Sequence, residues 1–491
     1  MCGILLVQSR NRIPLEQHQP ALELLSRRGP DFTKYYWANE NTFVAQSVLH
    51  ITGDNRFYHE PRSDAFAYNG EIYDYRWHGH YSNDVELAYR AAKERPLRFR
   101  YFEGTWAWIY ASADGVSYAS DPQGEKSLYQ YQDDDILIVC SDIAPILTYV
   151  NCKFEPVPYR NKGWTMISQT PWQGITRCEP GRLYRNGRPS YTIDSIWDWV
   201  KTPGEIDLNQ AVEQFEPIWQ QACDRIMPSE PATISFSGGI DSSLIRHYLP
   251  SLIPLAVDIT GKDSIVDSLD CKKISLNPQQ WAEEYQELIK QTKMPAQSWS
   301  HVGKWSIAKH ADSRIIFTGL GADELFGGYS QYYDIQYSVD GCHSAYSSDD
   351  HDKLWNRCLE VYQGDPKQAT LLMDYWHQVV GVDASGLDRL GGFWGKETRN
   401  PFLMKSVMSF ALNLPWALKV GAHNKPVLRE LYCRSFKTNN VESKKGFAGH
   451  ANDALPWLGV NIKSTGNRHL DWQAIAQASY RHYIESFQSM T

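Results

Sequence analysis

The stretch Ser237-Gly238-Gly239-Ile240-Asp241-Ser242-Ser243 constrains the fold of this 491-residue chain more than any other. It separates an apolar run at 231–236, which reads as a buried strand, from residues 241–249, whose apolar spacing reads as a helix. Strand, glycine turn and helix in that order make one half of a parallel-sheet unit. The turn also carries chemistry. Glycines let backbone N–H groups crowd around an anion, the helix N-terminus adds partial positive charge, and the serine hydroxyls add donors. Asp241 then suits a Mg²⁺ ligand on a phosphate chain. No Gly-Lys-Ser/Thr follows, so the string is not a Walker A loop. The plain alternative is a glycine turn before a capped helix.

Downstream residues continue the pattern. Leu208–Ile226 is amphipathic at helical spacing. Further helical stretches at 281–291, 354–363, 367–380 and 404–412 accompany strand-like runs at 255–259 and 315–318. Thr318-Gly319-Leu320-Gly321-Ala322-Asp323-Glu324 follows the second of these runs. Its glycine spacing fails the dinucleotide pattern, but it sets two acids on the next turn. Sites in open α/β sheets form at the carboxyl ends of neighbouring strands, so Asp241 and Asp323 are expected to meet around one Mg²⁺. Residues 340–352 read as a polar loop.

Upstream of residue 190 the character differs. Short β-like runs at 4–8, 41–49, 66–68, 106–111, 117–120 and 136–140 alternate with turn signals, and helical spacing is confined to Leu15–Ser26 and Asp84–Glu94. This is a β-rich α+β unit, and residues 194–205 read as the linker that follows it. The second residue is cysteine. Met1 before a small residue is normally removed, which leaves Cys2 a free α-amine of pKa near ~8 to serve as its own base. An accidental second-position cysteine is the alternative. Tyr68-Asn69-Gly70-Glu71 follows a strand. An Asn-Gly corner is a turn by default, and also a place where a side-chain amide and a bare N–H face one oxyanion. Asp84 opens a helix, either as a plain N-cap or as the partner of a substrate ammonium.

Composition narrows the partners. The net charge of −8, without any long basic run, argues against a nucleic-acid partner, since phosphate binding needs a concentrated basic face. Nine cysteines with no CxxC spacing suggest neither zinc nor a redox motif, and fit the reduced thiols of a cytosolic protein. No stretch approaches the ~20 apolar residues of a membrane span, and the apolar run at 4–7 is too short for a signal-peptide core. A soluble, cytoplasmic protein is expected.

Taken together these strings resemble the glutamine-dependent asparagine synthetases of the asparagine synthetase B type. The resemblance spans nearly the whole chain. It includes Met1-Cys2-Gly3-Ile4, Arg28-Gly29-Pro30-Asp31, residues 121–129, Glu397-Thr398-Arg399-Asn400-Pro401-Phe402-Leu403, Lys425 with Arg429, and Lys444-Lys445-Gly446-Phe447. It implies an α+β N-terminal-nucleophile glutaminase domain at 2–195, of the class II glutamine amidotransferase kind. An α/β pyrophosphate-loop ATP-pyrophosphatase (adenine nucleotide alpha hydrolase-like) domain would follow at 206–491. By the same resemblance Cys2 is the nucleophile and Asn69 and Gly70 form the oxyanion hole, while Arg28, Glu71 and Asp84 hold glutamine. Ser237, Gly238, Gly239, Asp241, Ser242, Val257, Gly319 and Gly321 bind ATP. Asp241 and Asp323 hold Mg²⁺, and Lys425 offsets charge in the synthetase site. For Lys425 and Arg399 the alternative is a solvated cation.

The implied activity is that of a carbon–nitrogen ligase with glutamine, ATP and a carboxylate as substrates, and a homodimer is the assembly the resemblance suggests. The sequence departs from the family in places. Val48 stands where the family has an arginine for the glutamine carboxylate, which leaves Arg27 or Arg28 for that role. Met294, Leu320 and Met404 replace expected acids. Several of these positions belong to the acceptor side. The acceptor is therefore aspartate or another carboxylate, such as a peptide, a natural product or a modified-base precursor. A non-catalytic, nucleotide-binding descendant is the third reading.

Overall fold

The computed structural model describes residues 2–51, 59–60, 64–154, 168–201, 204–258, 270–294, 300–333, 349–439, 441 and 456–457. Strands laid down first along the chain are β1 (Gly3–Ser9), β2 (Phe32–Asn39), β3 (Thr42–Val48), β4 (His59–Glu60), β5 (Asp64–Ile72), β6 (Gly104–Ser112), β7 (Gly115–Ser120), β8 (Tyr129–Gln132), β9 (Ile136–Cys140), β10 (Ile175–Arg177), β11 (Arg182–Arg185) and β12 (Arg188–Thr192). They pair into two antiparallel sheets, ordered β10-β8-β9-β1-β3-β2 and β12-β11-β7-β6-β5-β4.

Strand alternation sends successive side chains to opposite faces. Ile4 and Leu6 of β1, with Val44 of β3, meet Ala65, Ala67, Ala107 and Ile109 between the sheets. Leu5 and Val7 turn outward onto Ala21 and Leu25 of the helix Leu15–Ser26. Phe66, Trp106 and Trp108 cover Leu87 and Ala88 of the helix Asp84–Glu94. The result is helix, sheet, sheet, helix, the α+β N-terminal-nucleophile layout. β2 went unseen in the sequence because its FTKYYWAN mixes aromatic and polar residues on half-exposed positions.

The second part is built on β13 (Ala232–Ser235), β14 (Ile253–Asp258), β15 (Lys272–Ser275), β16 (Ile315–Phe317) and β17 (Glu397–Arg399). All pair in parallel, in the order β15-β14-β13-β16-β17. The chain runs outward from β13 to β14 and β15, then returns past β13 to β16 and β17. The order reverses between β13 and β16, and a crevice opens there beyond the carboxyl ends of the strands. The Ser237 loop leaves β13 and the Gly319 loop leaves β16, side by side at that point. This is the α/β layout expected for a pyrophosphate-loop domain.

Several expectations shift. Residues 367–380 do not form one regular helix: Pro366–Asp374 is α-helical and Tyr375–Asp383 is π-helical, before the helix Ala384–Phe393. π turns cluster at functional sites, and here Arg177 of β10 donates to the carbonyls of Val380 at 2.7 Å and Gly381 at 3.5 Å. The helix Ser300–His310 carried no amphipathic signal because it is buried nearly all round, from His301 through Ala308. Of the polar run 340–352, residues 340–348 lie outside the described residues, and Asp349 already opens the helix Asp349–Val361. Lys444-Lys445-Gly446-Phe447 also lies outside them.

The expected linker is not loose at its start. Ser195 caps a turn, Ile196–Trp199, whose Ile196, Trp197 and Trp199 are buried. One apolar cluster runs across the two parts, from Leu5, Val7 and Trp172 to Val257, Trp281, Trp305 and Ile316. No described helix is long and apolar enough to cross a membrane.

Candidate active sites

Cys2 stands at the head of β1, and β1 is paired on both sides, with β3 and β9. Its backbone N–H donates to Asn69 Oδ1 at 2.8 Å. Asn69 is fully buried on β5, and among the described residues its Nδ2 has no hydrogen-bond partner. At Gly70 a Cβ would lie 2.2 Å from the Thr105 carbonyl oxygen, so no other residue fits against β6. The strand thereby brings Cys2, Asn69 and Gly70 to one corner.

Arg28 is at this corner but is already matched. Its Nε donates to the Cys2 carbonyl at 3.3 Å and its Nη2 to Asp388 Oδ2 at 2.7 Å, with the side chain almost completely buried. A glutamine carboxylate would compete with Asp388 for it. In this structure the residue ties the Cys2 segment to the helix Ala384–Phe393. Arg27 turns outward to Gln291 and the Phe393 ring, and Val48 is buried in β3. None of these positions presents a cation for a carboxylate.

Glu71 and Asp84 lie next to each other electrostatically. The cap of the helix Asp84–Glu94 is Asn83, which accepts from the Glu86 N–H, so Asp84 is not the cap. Asp84 accepts instead from the Ile72 N–H at 3.2 Å. Burial, then the charge of Glu71, pushes its carboxyl up to about 7. Burial also raises Glu71, against the pull of Arg399, whose Nη2 donates to Glu71 Oε2 at 2.5 Å.

In the second site the Ser237 loop folds on itself. The Ser237 N–H donates to Ser242 Oγ at 3.3 Å, Gly239 N–H to Ser237 Oγ at 3.4 Å, and Ser242 Oγ to the Gly239 carbonyl at 3.3 Å. Gly238 has φ +72°, which favours glycine. Gly239 caps the helix Ile240–Tyr248 with no side-chain cap bond, and Asp241 sits in the first turn. Across the crevice, Gly321, at φ +89°, starts the short helix Ala322–Phe326 that carries Asp323 and Glu324. Lys425 joins the two loops. Its Nζ lies 2.7 and 2.8 Å from the Asp241 carboxylate oxygens and 2.6 Å from Asp323 Oδ1. Gly328 leaves room for this: a Cβ there would be 1.9 Å from Asp323 Oδ1 and 2.2 Å from Lys425 Cε. Val257 is buried at the end of β14. Burial and the neighbouring charge of Asp323 push Glu324 up to about 7, and Tyr329 donates to it at 2.6 Å.

Lys425 and Arg399 are buried, at 4% and 1% exposure, so the solvated-cation alternative fails for both. Two carboxylates that already converge on one cation, Lys425, fit a Mg²⁺ ion, which takes one or two carboxylates and completes its shell with phosphate and water. No group of three or more His, Cys, Asp or Glu side chains suited to a metal occurs among the described residues. The reading of the sequence missed the roles of Thr318, Asn400 and Glu125. Asn400 Nδ2 donates to Glu125 Oε2 at 2.6 Å, and burial and then Asp121 push Glu125 up to about 8. No period or spacing marks these residues, because Asn400 meets Thr318 from 82 positions away and Glu125 from 275.

The asparagine synthase family model matches residues 263–453. Amidase chry2 of Gibberella zeae is 23% identical over 381 residues, 65% of this chain and 56% of its own length. The chain thus spans little more than half of that relative. The glutamine-hydrolysing asparagine synthetase B of Escherichia coli is 22% identical over 488 residues, 88% of this chain and 79% of its own. Among solved structures, the glutamine phosphoribosylpyrophosphate amidotransferase of B. subtilis, complexed with ADP and GMP, covers 65% of this chain and 81% of its own at 11% identity. Its TM-score of 0.30 is too loose to bear on the reading of the sites. The chain is similar to the glutamine-hydrolysing asparagine synthetases, and the match to the asparagine synthase family model lies in its C-terminal half.

Proposed function

We propose that the chain is a glutamine-hydrolysing, AMP-forming amidotransferase that frees ammonia at Cys2 and delivers it to an adenylated carboxylate at the Asp241–Asp323 site. The observation that carries the reading is Asn69. One end of its amide orders the Cys2 backbone, and the other end is a buried N–H donor with no partner. An oxyanion on the attacked amide would satisfy that donor. Glu71 and Asp84, both raised by burial, would hold the α-ammonium of glutamine. The Cys2 sulfur attacks the amide carbon as its proton passes to the free α-amine; the proton then goes to the amide nitrogen, the C–N bond breaks, and a thioester and ammonia result. Water then releases glutamate.

At the second site ATP transfers AMP to a carboxylate and pyrophosphate departs. The Ser237–Ser242 N–H and hydroxyl groups and Lys425 offset the charge of that leaving group. Mg²⁺ held by Asp241 and Asp323 would supply further charge neutralisation. Ammonia lost to water at neutral pH becomes ammonium, which is no nucleophile, so it would travel inside the protein.

Aspartate, converted to asparagine through an aspartyl-adenylate, is the acceptor of this reading. A second acceptor class, another carboxylate, is favoured by Leu320 and Met404 where acids were expected and by a relative that bears the name amidase. AMP release across a panel of acids separates the two, and no release with any acid would favour a nucleotide-binding descendant. Cys2→Ala should abolish glutamine-dependent amide formation and leave ammonia-dependent formation within about twofold of the parent, because the second site is untouched. Loss of both activities with the fold intact would overturn the two-site scheme.

A further inference from the structure

A guanidinium cannot give up its proton inside a protein, so a buried arginine needs an anion or a set of acceptors close by. Arg28, Arg177 and Arg389 are all buried where the helix Ala384–Phe393 packs on the first part of the chain. Arg28 is matched: its Nη2 lies 2.7 Å from Asp388 Oδ2 and its Nη1 4.0 Å from Asp142 Oδ2. Arg177 is held by carbonyls, those of Val380 at 2.7 Å and Gly124 at 3.1 Å. Arg389 differs. It is 2% exposed, and among the described residues its Nε and Nη2 have no hydrogen-bond partner. Asp142 Oδ1 is taken by the Ile143 N–H at 2.7 Å and Asp388 Oδ2 by Arg28. Asp388 Oδ1 has no hydrogen-bond partner either, so the carboxylate next along the helix does not serve Arg389.

The charges around Arg389 do not balance. Arg389 acts on Asp142, on Arg177 and on His301 of the helix Ser300–His310. Burial brings His301 down to about 4, so the ring is neutral, and its Nε2 meets Asp383 at 3.1 Å. Asp383 is in turn matched by Lys304 at 2.6 Å. Burial pushes Cys140 up to about 12 and Glu125 up to about 8, so both keep their protons at neutral pH. Asp121, raised by burial to about 6, lies in the field of Lys126. What remains is three guanidinium groups facing Asp142 and Asp388, an excess of one positive charge. Water can fill hydrogen bonds, but it leaves that charge unpaired in a poorly polarisable interior, which is the larger cost. We propose that Arg389 is the principal ligand of a buried site for one small monovalent anion of the chloride class. The excess of one sets the valence. The enclosure sets the size: His301 and Asp388 are buried, and a Cβ at Gly386 would stand 2.7 Å from His301 Nε2, so the wall has no room for a substituent on the ion.

The site is independent of the function proposed above, and its test needs no substrate. Thermal unfolding of the full-length protein is followed in concentration series of sodium chloride, sodium bromide, sodium acetate and sodium gluconate at matched ionic strength. Chloride and bromide should raise the midpoint along a saturating curve, as a ligand of the folded state does, and gluconate, too bulky to enter, should not. Arg389→Met removes the excess charge, and its midpoints in chloride and gluconate should coincide. Arg389→Lys keeps the charge but not the fork of donors, so its chloride effect should persist with half-saturation raised on the order of tenfold. That variant keeps the test decisive if Arg389→Met folds poorly. In crystals grown from sodium bromide, an anomalous-scattering peak should stand beside the Arg389 guanidinium. Coincident midpoints in chloride and gluconate for the parent overturn the site. Stabilisation by acetate without stabilisation by chloride overturns the choice of ion. An undiminished chloride effect in Arg389→Met, an unchanged half-saturation in Arg389→Lys, or bromide found only elsewhere overturns the role of Arg389.

Discussion

Asp84 shows how one carboxylate is prepared by what its neighbours do. Because Asn83 takes the capping duty, the Asp84 carboxyl is free to accept from the Ile72 N–H, and burial beside Glu71 pushes it up to about 7. A proton and an ammonium compete for it. Glutamine binding should therefore weaken as pH falls through about 7, by up to about tenfold per unit. Titration of L-glutamine into the Cys2→Ala protein between about pH 6 and about pH 8 measures this. Asp84→Asn should weaken binding at the upper end and flatten the profile, and a flat profile in the parent would count against the assignment. At this scale much was legible. Cys2, Asn69 and Gly70 stand in short strings that the structure brings to one corner, and Asp241 and Asp323 in strings that it brings to one lysine. The partner of Arg28 was not legible, since Asp388 is 360 residues away and nothing local marks it.

The loop that presents Lys425 is an element with its own anchor. Lys425 begins the helix Pro426–Phe436 from a left-handed conformation, φ +55°, rare for a residue with a side chain. Its N–H donates to the carbonyl of Lys419 at 3.1 Å. The Lys419 side chain is buried and donates to Gln368 Oε1 at 2.7 Å and to the Leu412 carbonyl at 3.3 Å. Burial brings its ammonium down to about 7, against the opposing pull of Asp365. The native protein therefore gives up this proton near pH 7, whereas the unfolded chain keeps it to about 10.4. The penalty of a buried charge is present in full below about pH 7 and is relieved as pH rises, so this group adds up to about 1.4 kcal/mol of stability per unit between about pH 7 and about pH 10. Urea unfolding of the parent and Lys419→Met across that range should differ by this slope, and parallel curves would refute it. Elements such as β17 and the helix Ser300–His310 escaped the sequence reading for one reason. β17 is buried throughout and the helix nearly all round, and a segment with so little wet face has no clear polar period to read.

At the scale of the molecule, charges hold the two parts together in unequal ways. Arg28 and Asp388 are paired with both side chains at 2% exposure, whereas Arg314 and Asp31 pair at 2.7 Å with 43% and 23% exposed. Removing Asp388 strands a buried guanidinium, so Asp388→Ala should cost about 3–5 kcal/mol in urea unfolding. Arg314→Ala should cost under about 1 kcal/mol, because water and salt screen the exposed pair. Equal costs would contradict the burial argument. The amino-acid order by itself determined the β-rich first part, the parallel α/β second part, the glycine turn after β13 and the corner where Cys2 meets Asn69, since strand and helix periods and glycine turns are local properties. Only the tertiary structure decided that Lys425 bridges Asp241 and Asp323, that Arg28 pairs with Asp388, and that Arg399 reaches both Glu71 and Glu397. Burial and charge pairing depend on which distant segments meet, and no local pattern carries that information.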